Sequence, residues 1–262
     1  MPCSWRFLLV LALGILVLVA AAACGNELTR REAHYSARAS LQLLEPPPPR
    51  PSALSVEAFT AGLSQEELVG WRETPRYTAD GLRALRLPPA LRADLAAFHE
   101  RAQPAPEEPN GHIQGEVLLT SLDAGLEGRL CAFLEAALSE WTGVTDLHFT
   151  NSYGPRTYKR GATLAAHGDR IWTHAVSAIV FVAAEAMDAP WPLQFVPNGA
   201  RGGDAVQEAI IDGEADVLLY ESTQPHGRVE PLRGDSYTVA FFHWRPGDWQ
   251  EAVRAVSPGS VP

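Results

Sequence analysis

Cysteine is nearly missing from the body of this chain. Of its three cysteines, Cys3 and Cys24 fall within the first 25 residues and only Cys131 lies beyond them, which excludes a disulfide inside the folded part. Cys131 sits in an amphipathic helical stretch and reads as a small buried apolar residue. No Asn-x-Ser/Thr acceptor occurs, so a secretory route would leave the asparagines unglycosylated. Positive charge is also short. With 21 Lys+Arg against 31 Asp+Glu, the formal charge is -10, which argues against a general nucleic-acid binder, since phosphate recognition needs a basic surface to displace counterions. No internal repeat is present, and no long helical pattern follows Gly143. What is there, 262 residues of which 46% are hydrophobic, suffices for one globular domain of moderate size with an N-terminal addition.

That addition is a run without a single charge, Phe7 to Cys24, behind Arg6. It is just long enough for a bilayer-spanning helix, which needs about 20 residues. Residues 1–25 therefore read as a signal peptide or an N-terminal membrane anchor, with a lipoprotein acylated on Cys24 as a third reading. Ala21 and Ala23 suit a signal-peptidase site, while Arg6 before the run and Arg30 and Arg31 after it give no clear orientation. The expected location is a membrane, held by a single N-terminal span, or the lumen of the secretory pathway.

Residues 26–55, with "EPPPPRPS", read as a Pro-rich linker, and residues 56–112 as a helical extension in which Leu91, Leu95 and Phe98 share one face. From Ile113 the pattern becomes strand-like, interrupted by a helix whose stripe is Leu126, Leu130, Leu134, Ala137 and Trp141, with Gly143 as its stop. Eight short strand candidates follow: "LHFTNSY", "ATLAAHGD", "VSAIVFVA", "WPLQFV", "EAIID", "DVLLYES", "HGRVEPL" and "SYTVAFFHW". The fold class expected is α+β, mainly β: a double-stranded β-helix, or jelly roll, supported by N-terminal helices, with the domain proper at 113–246 and a C-terminal tail at 247–262.

Within this framework "HGDRIWTH" holds two histidines and an aspartate in eight positions. Two imidazoles and one carboxylate make a facial triad that suits Fe(II) and leaves other coordination positions open. His167 and Asp169 form the near pair, and the third ligand falls on His226, 59 residues further on, with His174 as the alternative. The H-x-D spacing is common by chance and leaves a polar turn open as a reading.

The flanks are more specific. "TNSYGPRTYKRGATLAAHGDR", "HAVSAIVFVA" and "DVLLYES" through "HGRVEPLRGDSYTVAFFHWRP" resemble the Fe(II)- and 2-oxoglutarate-dependent dioxygenases of the prolyl 4-hydroxylase type over about residues 113–246. The resemblance implies that His167, Asp169 and His226 hold Fe(II), with 2-oxoglutarate as cosubstrate and ascorbate as a further candidate. It implies hydroxylation of an unactivated C–H bond in a protein or peptide, with peptidyl proline as the suggested class. It also implies Tyr153 as a hydroxyl donor to the far carboxylate of 2-oxoglutarate, beside the alternative that Tyr153 only packs. One position departs from the family: where Lys or Arg is usual, about ten residues past the distal histidine, this chain has Ser236. A buried carboxylate needs a cation, and Arg228 is the first substitute, sharing the strand face of His226, with Arg233 second.

Other residues read more blandly. His174 is a strand-edge histidine, His243 packs on the face of Tyr237, Val239 and Phe241, and Arg233-Gly234-Asp235 is a tight turn rather than an adhesion motif. Two further functions stay open: a membrane-tethered jelly-roll binding module without catalysis, and a cupin-type metalloenzyme that does not use 2-oxoglutarate.

Overall fold

The computed structural model describes residues 50–108, 111–213 and 215–257. The leader at 1–25 and most of the Pro-rich segment lie outside these residues. Among the described residues no helix is long and apolar enough to cross a membrane.

In chain order the elements are β1 (Arg50–Ser55), α1 (Val56–Thr60), α2 (Gln65–Glu73), β2 (Leu82–Leu85), α3 (Pro89–Arg101), β3 (Ala105–Pro106), β4 (Ile113–Gln114), β5 (Val117–Leu119) and α4 (Ala124–Thr142). There follow β6 (Leu147–Lys159), β7 (Thr163–His167), β8 (Val176–Glu185), β9 (Leu193–Phe195), β10 (Ala205–Ala209), β11 (Val217–Glu221), β12 (His226–Arg228), β13 (Ser236–Pro246) and α5 (Trp249–Val256). The strands form two antiparallel sheets, a larger one in the order β2-β11-β8-β13-β6-β5-β3 and a smaller one in the order β1-β10-β9-β12-β7-β4.

The larger sheet is covered on both faces, which explains why its central strands read as continuous apolar runs. Along β8 and β13, Val176, Ala178, Val180, Ala240, Phe242 and Trp244 turn outward onto α3 and α4. Ile179, Tyr237 and Val239 turn inward to meet Ile113, Leu164 and Leu193 of the smaller sheet. The period of two in strand side chains makes both layers from one sequence. Helix α4 follows the expected stripe: Leu126, Leu130, Leu134 and Ala137 are buried, and Trp141 packs half-buried beside them. Asp123 caps its start by accepting from the Leu126 N–H at 2.8 Å, and Gly143, at φ 74°, ends it in the left-handed conformation. Full burial of each of these leucines is worth roughly 2 kcal/mol.

Three boundaries move. Arg50–Ser55, read as linker, is an edge strand paired with β10, Arg50 opposite Glu208; its Pro51 is tolerated because the strand stands at the sheet margin. Leu82–Leu85, within the expected helical extension, is β2 and pairs with β11. Within the expected C-terminal tail at 247–262, whose residues 258–262 lie outside the described ones, α5 buries Trp249 and Val253, and the Trp249 indole donates to the Ile171 carbonyl at 2.7 Å. The stretch "HIQGEVLLT" also divides: β4 joins the smaller sheet and β5 the larger. Gly115 makes the crossing with φ +92°, and a Cβ there would stand 2.8 Å from the Ala162 Cα. The strand expected at "EAIID" begins earlier, at Ala205, and "LHFTNSY" is only the first half of the 13-residue β6.

Strand β12 is three residues long and lies between β7 and β9. In its middle, a Cβ on Gly227 would meet the Leu164 carbonyl oxygen at 2.9 Å and Ala165 at 3.0 Å. We therefore expect Gly227→Ala to cost about 1–3 kcal/mol by forcing β12 off β7. Urea denaturation checks this, and a midpoint equal to that of the parent would contradict the close approach.

Candidate functional site

The pairing of β12 with β7 sets His226 directly opposite His167 in register. Asp169 lies just past the end of β7, where its backbone N–H donates to the Ser222 carbonyl at 2.9 Å. Its Oδ1 is then 3.9 Å from His167 Nε2 and 3.8 Å from His226 Nε2. The ligand atoms of the three residues all lie within 4.8 Å of one another, the only such grouping among the described residues.

The histidines are oriented from behind. Nδ1 of His167 donates to the Ala165 carbonyl at 2.9 Å, and Nδ1 of His226 to the Gln224 carbonyl at 2.8 Å. A proton on Nδ1 leaves the Nε2 lone pair free, and both Nε2 atoms face Asp169. The second carboxylate oxygen is also used, since the Tyr220 hydroxyl donates to Asp169 Oδ2 at 2.8 Å. Two imidazole lone pairs and one carboxylate oxygen, each anchored by a second hydrogen bond, fit a divalent transition metal with three protein ligands.

Burial works against charge on Asp169, but His226, His243, His174 and His167 around it outweigh that penalty and hold its carboxyl well below the usual range. Burial, joined by the neighbouring His226, pushes His167 down to about 4. Burial pushes His243 down to about 3. Burial beside Asp169 raises the Tyr220 phenol, so it stays a donor.

These groups line a cavity of about 850 Å³ between the two sheets. At its deep end stands Arg228, 2% exposed. Its guanidinium lies between the rings of Trp191 and Tyr237, 4.8 and 4.6 Å from their centroids. It donates to the Trp191 carbonyl and, at 3.2 Å, to the Tyr237 hydroxyl. Among the described residues no carboxylate pairs with it. Arg233 is elsewhere: it is exposed, does not line the cavity, and its carbonyl accepts from the Asp188 N–H at 2.7 Å in the turn before β13. Asp235 of the same tripeptide is held by Arg160 at 2.8 Å. Ser236 turns away from the cavity, its hydroxyl donating to Glu185 at 2.8 Å, and Tyr237 is the β13 residue whose side chain meets Arg228.

Tyr153 is at the mouth, not the deep end. It is 38% exposed and its hydroxyl donates to Glu107 at 2.7 Å, beside an Arg156 that grips the same carboxylate with two bonds of 2.6 Å. Tyr158, on the same strand and 1% exposed, is the tyrosine near the floor, packed edge-on to Trp191 at 5.1 Å. Both tyrosines line the cavity although five residues apart, because β6 shifts register between them against Val239 and Phe241.

Tyr158, Tyr220 and His112 are cavity residues that the sequence reading did not name, and His174 and His243, read there as strand-edge and packing histidines, line the cavity with them. The face of His243 was legible, since Tyr237, Val239 and Phe241 do share it. What the pattern lacked was that this face passes within 3.9 Å of Asp169.

The fold and this site together define a two-sheet β protein with a His-Asp-His cluster at an intersheet cavity. No family model and no curated protein matches the chain. Among solved structures it is similar to HygX from Streptomyces hygroscopicus with nickel and 2-oxoglutarate bound, at 16% identity over 71% of this chain and 88% of that one, TM-score 0.46. It is similar to a Pseudomonas putida prolyl-4-hydroxylase at 18% identity over 65% and 94%, TM-score 0.45. A third likeness is to a prolyl hydroxylase from Trichoplax adhaerens in complex with a hypoxia inducible factor peptide fragment, at 13% identity over 65% and 86%, TM-score 0.46.

The buried imidazoles have a consequence for stability. With folded values of about 4 for His167 and about 3 for His243, the unfolded chain binds more protons once pH falls below about 6.5. Stability is therefore full above that pH and declines toward pH 4, by up to about 1.4 kcal/mol per pH unit for each histidine. Urea midpoints of the metal-free protein at pH 7.5 and pH 5 read this directly, and equal midpoints would contradict the buried neutral rings.

Proposed function

We propose that this chain is an Fe(II)- and 2-oxoglutarate-dependent dioxygenase built on a jelly roll, which hydroxylates an unactivated C–H bond of its substrate. The observation that carries the reading is the buried, unpaired Arg228 two residues along β12 from His226. Burying a guanidinium without an anion is costly, and a strand advances about 3.4 Å per residue. A cation about 7 Å along the strand from a metal ligand suits a short dicarboxylate that chelates the metal at one end.

His167, Asp169 and His226 would hold the iron, and Arg228 the far carboxylate of 2-oxoglutarate in a charge-assisted pair. Bound together, Fe(II) and 2-oxoglutarate supply the oxidising chemistry, in which dioxygen and 2-oxoglutarate become succinate, carbon dioxide and the oxygen of a new hydroxyl group. The protein contributes position and dryness. Tyr220 holds Asp169 so that Oδ1 faces both Nε2 atoms. Trp191 and Tyr237 fix the Arg228 plane. Leu164, Ile179, Leu193 and Val239 line the cavity with apolar surface, which strengthens the Arg228 pair. Tyr158 is better placed than Tyr153 to donate to the cosubstrate, because Tyr153 is committed to Glu107 at the mouth. The two other readings, a binding module and a cupin-type enzyme, drew on the missing cation at Ser236. That position faces away from the cavity, whereas Arg228 lines it. The apolar run at 7–24 would bring the enzyme to a membrane or into the secretory pathway.

With Fe(II), dioxygen and 2-oxoglutarate, the full-length protein is expected to form succinate, and His226→Ala to abolish it. Arg228→Gln should raise the half-saturating 2-oxoglutarate concentration about 100-fold, matching the ~3 kcal/mol of a lost buried charge pair, while Arg233→Gln leaves it unchanged. Thermal melts of each variant separate misfolding from lost affinity. Absence of metal-dependent succinate from the parent protein overturns the reading.

A further inference from the structure

The end of the cavity away from Arg228 carries a second pair of histidines that the iron site does not use. His174 and His243 are 8% and 6% exposed, and their rings lie face to face at 3.8 Å between centroids, tilted by 32°. Each is fixed through Nδ1: His174 to the Thr173 hydroxyl at 2.7 Å, and His243 to the Ser177 hydroxyl at 2.7 Å, which in turn contacts the Ser222 hydroxyl at 2.5 Å. Neither Nε2 has a hydrogen-bond partner among the described residues. Neither is sealed in the interior, since Glu221 Oε2 is the one buried side-chain atom left without a partner there. Both residues line the cavity, with Thr150, Asn151 and Thr173 around them. His243 Nδ1 is 3.9 Å from Asp169 Oδ2, so the pair stands beside the His-Asp-His cluster, and along β13 His243 lies well away from the Tyr237 that meets Arg228.

This chemistry selects what can sit there. With Nδ1 of each ring tied to a hydroxyl, Nε2 is the nitrogen each presents to the cavity, able to form one hydrogen bond as donor or acceptor. With Nδ1 engaged by a hydroxyl that can itself donate or accept, Nε2 can take either role. A hydroxyl group matches both roles, and two neighbouring hydroxyls match two stacked rings. A carboxylate would need charged donors. An apolar pyrrolidine ring would leave both Nε2 atoms and the Asn151 amide unsatisfied, at about 1–3 kcal/mol for each stranded group. The mouth adds Phe241 and the 38% exposed Tyr153, flat apolar faces of the kind that stack on the C–H face of a sugar-like ring. The volume of about 850 Å³ falls within the range of small-molecule pockets.

We propose that His174 and His243 form the substrate-recognition wall of this site, and that they take a neutral ring bearing neighbouring hydroxyls, a saccharide or a cyclitol, in preference to peptidyl proline. The proposal deepens the dioxygenase reading and rests on it for the side of the metal at which substrate lies. The paired rings would hold the diol beside Asp169 and present an adjacent ring C–H to the metal.

The test uses the full-length protein loaded with Zn(II), which does not turn over, and 2-oxoglutarate. Saturation-transfer NMR is recorded with myo-inositol, trehalose and maltotriose, and separately with a Pro-Pro-Gly repeat peptide. Transfer to at least one of the polyols is expected and none to the peptide. His174→Phe and His243→Phe should each weaken polyol binding at least ten-fold, and His243→Gln, which keeps a polar end, should recover part of it. The 2-oxoglutarate affinity, read by tryptophan quenching, should stay within two-fold in all three variants, because Arg228 is untouched. Transfer to the peptide alone, no transfer to any polyol, or polyol binding indifferent to both Phe variants overturns the proposal. Failure of the parent protein to bind Zn(II) or 2-oxoglutarate would instead overturn the dioxygenase reading, and the quenching measurement tells the two failures apart.

Discussion

The site depends on one cross-strand pairing. His226 stands opposite His167 because the three residues of β12 fill the gap between β7 and β9. Everything else in the cavity is placed relative to that pair: Asp169 by the bend after β7, Arg228 by the alternation of β12, and His243 by the inner face of β13. A register slip of one residue in β12 would turn both the histidine and the arginine out of the cavity together. The His-Asp-His cluster and the cation beside it are thus a single structural commitment, held by a backbone contact that Gly227 permits and a larger residue would obstruct.

Charge explains the composition of the cavity. The chain as a whole carries -10, yet the cavity lining includes Arg156, Arg170 and Arg228 with Asp169 as its only carboxylate. Arg156 is neutralised from behind by Glu107, and Asp169 is surrounded by imidazoles, which leaves Arg228 as the buried charge awaiting a partner. An anion entering this cavity meets a positive wall within an acidic protein, an arrangement that concentrates small anions at the site while the outer surface repels larger ones.

Much of this was legible in the sequence, and the gaps have physical causes. The H-x-D pair was visible in residue spacing, His226 as its partner came with the family resemblance, and the shared face of His226 and Arg228 follows from the period of two. The helix ending at Gly143 and the inner face of β13 follow from the same rules. Tyr158 did not stand out beside Tyr153 because a register shift in β6 lies between them, and hydrophobic periodicity cannot report a bulge. His174 and His243 were set aside because each looks like packing on its own element; only the approach of two elements distant in sequence stacks them. The edge strand at Arg50–Ser55 and the packed α5 were hidden by composition, proline in one case and a short charged segment in the other.

The Trp249 indole holds the Ile171 carbonyl, and Ile171 belongs to the bend that carries Asp169 at one end and His174 at the other. This brace comes from Trp249, later in the sequence than His167, Asp169 and His226. During synthesis, His167, Asp169 and His226 all leave the ribosome before the residue that fixes the bend between the sheets. A nascent chain therefore holds all three residues of the cluster before the bend beside it is braced. The bend between the sheets is completed only when α5 docks against it.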